Sequence, residues 1–335
     1  MRWRRAIGGL AVAVAVVSLL VYGVGWNDVV DNVREAHPAG LAAALAAGLG
    51  MLALRAALVR RLLTPVAGSA RGRAFVTAYL AGYFARSALP WGRSTGTPVI
   101  AYLLSSRSES EFEDTLAAVA AGEGFNVVGS LVVAGLGVAT FVVAGGSVDA
   151  VSAAVAVVGG GGAVVAGAVV VFNRGVARRV SLEFASKCET VLGAVPYSPL
   201  ADRRGFLTAR IDGFFGTLEA IQASRRTLAV AFGIAVLSWL FNAAPLYFAL
   251  LALGVDAPFA LVLVCAPLAS FGGVVPLPGG SGGIEVVLAS LLVATAGVSA
   301  SVATAGAILY RLTTYWAHLA ICGCVALTYT LCRTR

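Results

Sequence analysis

The stretch PLPGGSGG at residues 276–283 interrupts an apolar segment that extends from residue 258 to residue 296. A second interruption, LPWGRSTGTP at residues 89–98, divides the apolar segment 75–105. Proline and clustered glycine end helices. Each segment therefore predicts two half-helices joined by non-helical backbone, and we expect two re-entrant hairpins.

The composition around these stretches is that of a membrane protein. Of the 335 residues, 59% are hydrophobic and 12% are charged, and the mean hydropathy is +0.90. Soluble domains are about 45–50% apolar and about 25% charged. The composition therefore excludes a soluble globular protein, and we expect one membrane domain over residues 1–335.

Long apolar stretches predict six spanning helices. They are placed at about residues 6–26, 39–59, 115–144, 150–172, 227–252 and 300–330. The 24 basic and 16 acidic residues give a net charge of +8, and the basic excess lies near the N-terminus, at residues 60–73 and in the hydrophilic segment 173–226. By the positive-inside rule these parts and both termini are cytoplasmic, in a multi-pass protein of the cell membrane. The basic excess is thus explained without a nucleic-acid partner, and an interfacial amphipathic helix is expected within residues 173–226.

The order of elements repeats along the chain. Residues 1–145 and 150–332 each contain two helices, a broken hairpin and a final helix, and the second set starts from the opposite side of the membrane. The two breaks share the pattern Leu-Pro-x-Gly, at residues 89–92 and 277–280. The predicted fold is an all-α integral membrane protein with two re-entrant broken-helix hairpins in an inverted-topology repeat, a pattern that places a transport site near the midplane.

Non-helical backbone at membrane depth must be buried in protein or face a polar cavity. The half-helices that follow the breaks, from about Pro98 and Ile284, present free N–H groups and a positive dipole end to an anion. Ionisable residues within apolar helices usually mark function. The candidate substrate-binding residues are Arg86, Pro90, Arg93, Gly96, Glu123, Asn126, Pro278, Gly279, Gly280, Gly282, Glu285 and Arg311.

Two structural alternatives remain open at this point. The glycines can serve only close helix packing, and Glu123 or Glu285 can pair with Arg311 or Arg93 to brace the bundle. Arg55 and Asn242 are weaker candidates, since Arg55 can extend to the cytoplasmic interface. His318 lacks neighbouring metal ligands in the sequence and no cofactor motif is found, so we expect no metal, no cofactor and no catalysis.

The stretch PLPGGSGGIE at residues 276–285 resembles the Pro-x-Pro-Gly-Gly-x-Gly-x-x-Glu signature of the flippase-like, lysylphosphatidylglycerol synthase transmembrane family. The Leu-Pro break at residue 89, Glu123 in the next helix and Arg311 in the final helix support this resemblance over nearly the whole chain. Family members often carry Gly-Glu where this chain has Gly96 and Thr97. They often carry Glu-Arg and a later Asp where this chain has Glu123, Gly124 and Asn126.

The resemblance implies movement of an anionic or modified lipid, a phospholipid or a polyprenyl-phosphate-linked glycolipid, between membrane leaflets. The membrane lipid is then the substrate, and a separate lipid-modifying enzyme is the expected kind of partner, because no segment of this chain is large enough for an aminoacyl-transferase domain. The alternatives are an ion-coupled carrier or channel for a small polar solute, an intramembrane transferase acting on a lipid-linked sugar, and an accessory subunit. The oligomeric state is left open.

Overall fold

The computed structural model describes residues 18, 21–89, 92–143, 178, 182, 206–274 and 277–331. Every regular element within these ranges is helical. In chain order the α-helices are α1 (Trp26–Glu35), α2 (Pro38–Leu62), α3 (Gly72–Ala88), α4 (Gly92–Ser105), α5 (Phe112–Val143), α6 (Phe206–Ala223), α7 (Arg225–Ala252), α8 (Phe259–Ala269), α9 (Gly283–Ala296), α10 (Ala300–Arg311) and α11 (Ala317–Leu331).

Four segments of the described residues are long and apolar enough to cross a membrane. They are α2, α5, α7 and Pro278–Ala296, which contains α9. The predicted helix at 150–172 and most of the one at 6–26 fall outside the described residues. The chain is thus an all-α membrane protein.

The first interruption separates α3 from α4. Leu89 follows α3 in an extended conformation, and α4 begins at Gly92 and not near Pro98 as expected. Pro98 lies inside α4, where it removes one backbone hydrogen bond, but α4 packs along α3 and Gly82 of α3 lies against Ile100 of α4. With 17 and 14 residues, the two helices are about 25 and 21 Å long, shorter than the roughly 30 Å hydrocarbon core.

The second interruption separates α8 from α9. Two short 3₁₀ turns, Ser270–Val274 and Pro278–Gly280, lie between the two helices. Gly279, Gly280 and Gly282 have φ angles of 60°, 69° and 87°. Residues other than glycine rarely adopt such positive φ angles. The break predicted from the glycines is therefore confirmed, and α9, with 14 residues, is about 21 Å long.

The predicted last helix, about 300–330, is helical from Ala300 to Leu331, and a π-helical turn, Leu312–Trp316, lies within it between α10 and α11. The hydroxyls of Thr313 and Thr314 both donate to the carbonyl oxygen of Tyr310, at 3.0 and 2.7 Å. Such bonds compete with the regular backbone pattern. The carbonyl of Thr313 also lies against Gly48 of α2, where a Cβ atom would collide with it. π-helical turns are frequent at functional sites.

Two polar stretches of the sequence are helical. Residues 26–35, which follow the first predicted spanning helix at about residues 6–26, form α1, which packs on α10. Within the hydrophilic segment 173–226, the structure describes one continuous helix before α7, and this is α6. This helix packs on the first turns of α5. There Arg210 donates to Glu113 at 2.8 Å and Thr217 donates to Asp114 at 2.5 Å.

The centre of the bundle is formed by α2 and α7, which pack along their lengths. One apolar cluster joins α2 to the first hairpin, and a second joins α7 to the second hairpin. Both helix breaks lie beside this central pair, and the site is built there.

Candidate functional site

A cavity of about 110 Å³ lies between the two helix breaks and the central helices α2 and α7. It has room for several water molecules. Backbone of the second break lines it at Leu277, Gly279 and Gly280, and Gly92 lines it at the start of α4. Its polar side chains come from Arg55, Tyr83, Arg86, Ser87, Ser270, Asn242, Tyr310, Arg311, Thr314 and Tyr315.

Arg311 and Glu285 form a buried ion pair that holds the second break. Arg311 Nε donates to Glu285 Oε1 at 3.0 Å, and the two side chains are 8% and 3% exposed. Arg311 Nη2 also donates to the carbonyl oxygen of Gly279 at 2.9 Å and to Ser281 Oγ at 3.2 Å. One guanidinium thus fixes three positions of the break and the first turn of α9.

The N-terminus of α9 is occupied by this same carboxylate. The backbone N–H of Gly282 donates to Glu285 Oε2 at 2.7 Å. The sequence predicted that N–H groups at this helix start are free to bind an external anion. The N–H group of Gly282 is instead bound by a side chain of the protein. The positive charge closest to the cavity at this end is the guanidinium of Arg311.

Arg86 and Glu123 form the corresponding pair at the first break. Arg86 Nη1 and Nη2 donate to the two carboxylate oxygens of Glu123, the second at 3.2 Å, which makes the pair bidentate. The side chains are 16% and 33% exposed. A Cβ atom at Gly92 or Gly96 would collide with Arg86, so these glycines allow α4 to approach the arginine.

The order of charges is reversed between the two pairs. At the first break the arginine is on the hairpin and the glutamate is on the following helix, α5. At the second break the glutamate is on the hairpin and the arginine is on the following helix, α10. Each broken hairpin is therefore tied to the next helix by one arginine–glutamate pair.

Tyr315 connects the two breaks. Its hydroxyl donates to the carbonyl oxygen of Ser87 at 3.1 Å, near the end of α3. Its ring lies 4.3 Å from the guanidinium carbon of Arg311, within the range of a cation–π contact. A Cβ atom at Gly279 would collide with the same ring. The π-helical turn thus places one aromatic side chain against both hairpins.

The central helices contribute a second set of polar groups. Asn242 of α7 donates to the sulfur of Met51 at 2.9 Å and accepts from the hydroxyl of Tyr310, also at 2.9 Å. Arg55 of α2 has its Nη1 3.4 Å from the hydroxyl of Tyr83 and its guanidinium 6.0 Å from the Trp239 ring. These groups complete a polar surface at the middle of the bundle.

Eleven of the twelve predicted site residues divide into three groups. Arg86, Gly279, Gly280 and Arg311 line the cavity. Glu123, Glu285, Gly96, Pro278 and Gly282 are held next to the residues that line it, through the contacts described above or as neighbours in the break. Pro90 and the side chain of Arg93 lie outside what the structure describes.

Asn126 contributes through its backbone. Its carbonyl oxygen accepts from Trp239 Nε1 at 2.7 Å, and Trp239 lines the cavity. The Asn126 side chain is not among the described groups that line it. Asn126 therefore contacts the cavity indirectly, by holding the Trp239 ring through its backbone carbonyl.

Arg55 and Asn242, the weaker candidates from the sequence, both line the cavity. The signal was present, because both are polar residues within apolar helices. The aromatic residues Tyr83, Trp239 and Tyr315 were not singled out at all. Aromatic residues are common in membrane helices, and only their three-dimensional positions connect them to the breaks.

Taken together, the fold and the cavity define a helical membrane protein with a polar, arginine-rich site between two broken hairpins. A family model described as "Lysylphosphatidylglycerol synthase TM region" matches residues 6–322. The chain therefore belongs to the lysylphosphatidylglycerol synthase transmembrane-region family.

Two matches to relatives agree with this family. A UPF0104 membrane protein of Methanothermobacter thermautotrophicus is 24% identical over 333 residues, covering 96% of this chain and 95% of the relative. A match to a UPF0104 membrane protein of the same organism is 34% identical over 111 residues, which is 33% of each chain. Both relatives are described as membrane proteins, in agreement with the apolar helices of this chain.

Proposed function

We propose that the protein moves a lipid with an anionic head group between the two leaflets of the cell membrane. The observation that carries the proposal is the cavity between the two helix breaks, into which the arginines at positions 55, 86 and 311 project. Arginine is suited to phosphate, because its planar guanidinium offers several donors in a fixed geometry. Charged residues that face a cavity within an apolar bundle usually mark the path of a polar or charged ligand.

The two hairpins act as the moving parts. They are re-entrant, enter from opposite sides of the membrane and belong to the two inverted repeats, 1–145 and 150–332. The ion pairs Arg86–Glu123 and Arg311–Glu285 hold the two breaks in the present arrangement. Opening one pair at a time would expose the cavity first to one side and then to the other, which is the usual behaviour of inverted repeats. Both termini are cytoplasmic in this arrangement.

The protein acts by transport and not by covalent chemistry. Both glutamates that could serve as acid or base are bonded to arginines and hold the hairpins to the following helices. Lipid modification would then be the task of a separate enzyme that supplies or uses the lipid. Membership of the lysylphosphatidylglycerol synthase transmembrane-region family supports a role connected with lipids.

The test is a translocation assay in liposomes containing the purified protein. Fluorescent phosphatidylglycerol in the outer leaflet is bleached by an impermeant reductant, and the protected fraction reports movement between leaflets. Arg311→Lys keeps the charge but cannot make all three bonds of the guanidinium, and we expect it to slow translocation at least tenfold. Arg34→Lys, in an exposed pair, is the matched control.

Unchanged translocation in Arg311→Lys at equal protein content would contradict the site. Absence of lipid translocation in the unmodified protein, together with currents that depend on a small solute, would contradict the lipid function and favour a solute carrier.

A further inference from the structure

Arg55 differs from the other two arginines of the cavity in its partners. Arg86 and Arg311 each pair with a glutamate. No carboxylate of the described residues lies within 4.0 Å of the Arg55 guanidinium. Its Nε is buried without a hydrogen-bond partner in the described part of the chain, and its one contact with a hydroxyl, that of Tyr83, is long at 3.4 Å.

This difference decides the balance of charge among the described residues of the cavity. Three guanidinium groups and two paired carboxylates leave one uncompensated positive charge among the described residues, and it is on Arg55. A charged side chain without a partner within an apolar helix is unfavourable. An anion that enters the cavity would remove this cost, and a guanidinium with unused donors can bind phosphate through two parallel bonds.

The neighbouring groups favour an uncharged substituent on that phosphate. Thr314 lines the cavity, and its hydroxyl already donates to the carbonyl oxygen of Tyr310, so the Thr314 oxygen can still accept a hydrogen bond. A ligand hydroxyl can donate to it. An ammonium group would need a carboxylate, and both carboxylates near the cavity are engaged by arginines.

We propose that Arg55 is the phosphate-binding residue of the cavity and that the site selects a head group with one net negative charge, a phosphodiester carrying a hydroxylated, uncharged substituent. This selectivity rests on the proposed lipid function. It assigns to Arg86 and Arg311 the role of holding the hairpins and to Arg55 the role of contacting the lipid.

The test is native mass spectrometry of the detergent-purified protein with three lipids of identical acyl chains. Phosphatidylglycerol is a diester with one charge, phosphatidic acid is a monoester that can carry two, and phosphatidylcholine is a zwitterion. We expect phosphatidylglycerol to be retained best, and Arg55→Gln to lower its retention about tenfold, to the level of phosphatidylcholine. Arg55→Lys should keep part of the preference because it keeps the charge.

The matched control is Arg60→Gln, which removes one charge from an exposed position on the same helix and should leave the preference unchanged. An unchanged melting temperature of Arg55→Gln separates loss of binding from loss of folding. Equal retention of phosphatidylglycerol by Arg55→Gln and the unmodified protein would overturn the role of Arg55 and leave the lipid function standing. Preference of the unmodified protein for phosphatidic acid or phosphatidylcholine would overturn the charge selectivity, and retention of none of the three would overturn the lipid function itself.

Discussion

Replacing Arg311 by Met should destabilise the protein severely. The substitution removes the ion pair with Glu285 and the two further bonds to the second break, and leaves a carboxylate that is 3% exposed with one remaining bond, from the Gly282 N–H. Removing one partner of a buried pair costs about 3–5 kcal/mol, because an uncompensated charge remains in a low-dielectric environment. We expect a loss of this size in the free energy of unfolding.

The double variant Glu285→Gln with Arg311→Met separates the buried charge from the lost bonds. A neutral amide at position 285 can still accept from the Gly282 N–H, so the double variant should recover at least half of the loss. Arg34→Met is the matched control, since the Arg34–Asp31 pair is exposed and its atoms are 3.9 Å apart. Pairs of this kind contribute less than about 1 kcal/mol.

The assay is equilibrium unfolding in mixed micelles with increasing dodecyl sulfate, followed by circular dichroism. The four proteins, unmodified, each single variant and the double variant, form a cycle whose coupling energy measures the pair. A cost of less than about 1 kcal/mol for Arg311→Met, or strictly additive costs in the cycle, would refute the claim that this pair holds the second break.

Three further predictions concern the breaks and the topology. Gly279→Ala should lower the free energy of unfolding by more than about 2 kcal/mol, since φ is 60° and the added Cβ meets the Tyr315 ring. Gly297→Ala, at φ 64° in open space, is the control and should lower it by only about 1 kcal/mol. Equal losses in the same unfolding assay would show that the ring contact does not matter. Tyr315→Phe should cost about 1 kcal/mol through the lost bond to the first hairpin, and no measurable loss would contradict the link between the hairpins. In a cysteine-free background, single cysteines at Asp31 and Asp256 should react with an impermeant maleimide from outside intact cells, and labelling only after lysis would contradict the proposed orientation.

The helix breaks and the membrane class could be predicted from the sequence because they depend on local chemistry. Clustered proline and glycine interrupt helices, and the positive φ angles of Gly279, Gly280 and Gly282 are ones that glycine adopts at little cost. The start of α4 was placed too late, near Pro98 and not at Gly92, since packing on α3 outweighs the single bond that the proline removes.

The detailed site could not be predicted because it depends on contacts between distant parts of the chain. Glu123 and Glu285 were both identified, and pairing with an arginine was considered for each. Glu285 pairs with Arg311 and Glu123 pairs with Arg86, and which arginine each glutamate meets is decided by the packing of the helices. The π-helical turn also has no clear sequence signal, since its threonine bonds occur in ordinary helices too.

The most direct test of the account is photocrosslinking with a phosphatidylglycerol analogue that carries a diazirine on its head group. After irradiation of the reconstituted protein, peptide mapping identifies the residues that the head group reaches. If the lipid head group passes through the cavity, adducts should form on residues that line it, on Tyr83, Ser87, Trp239 or the π-helical turn, and fewer should form in Arg55→Gln. The same lipid with the diazirine at the end of an acyl chain should instead label outward-facing residues such as Val142 and Leu327. Head-group adducts confined to those outer residues, with none in the cavity, would contradict the claim that the lipid passes through it.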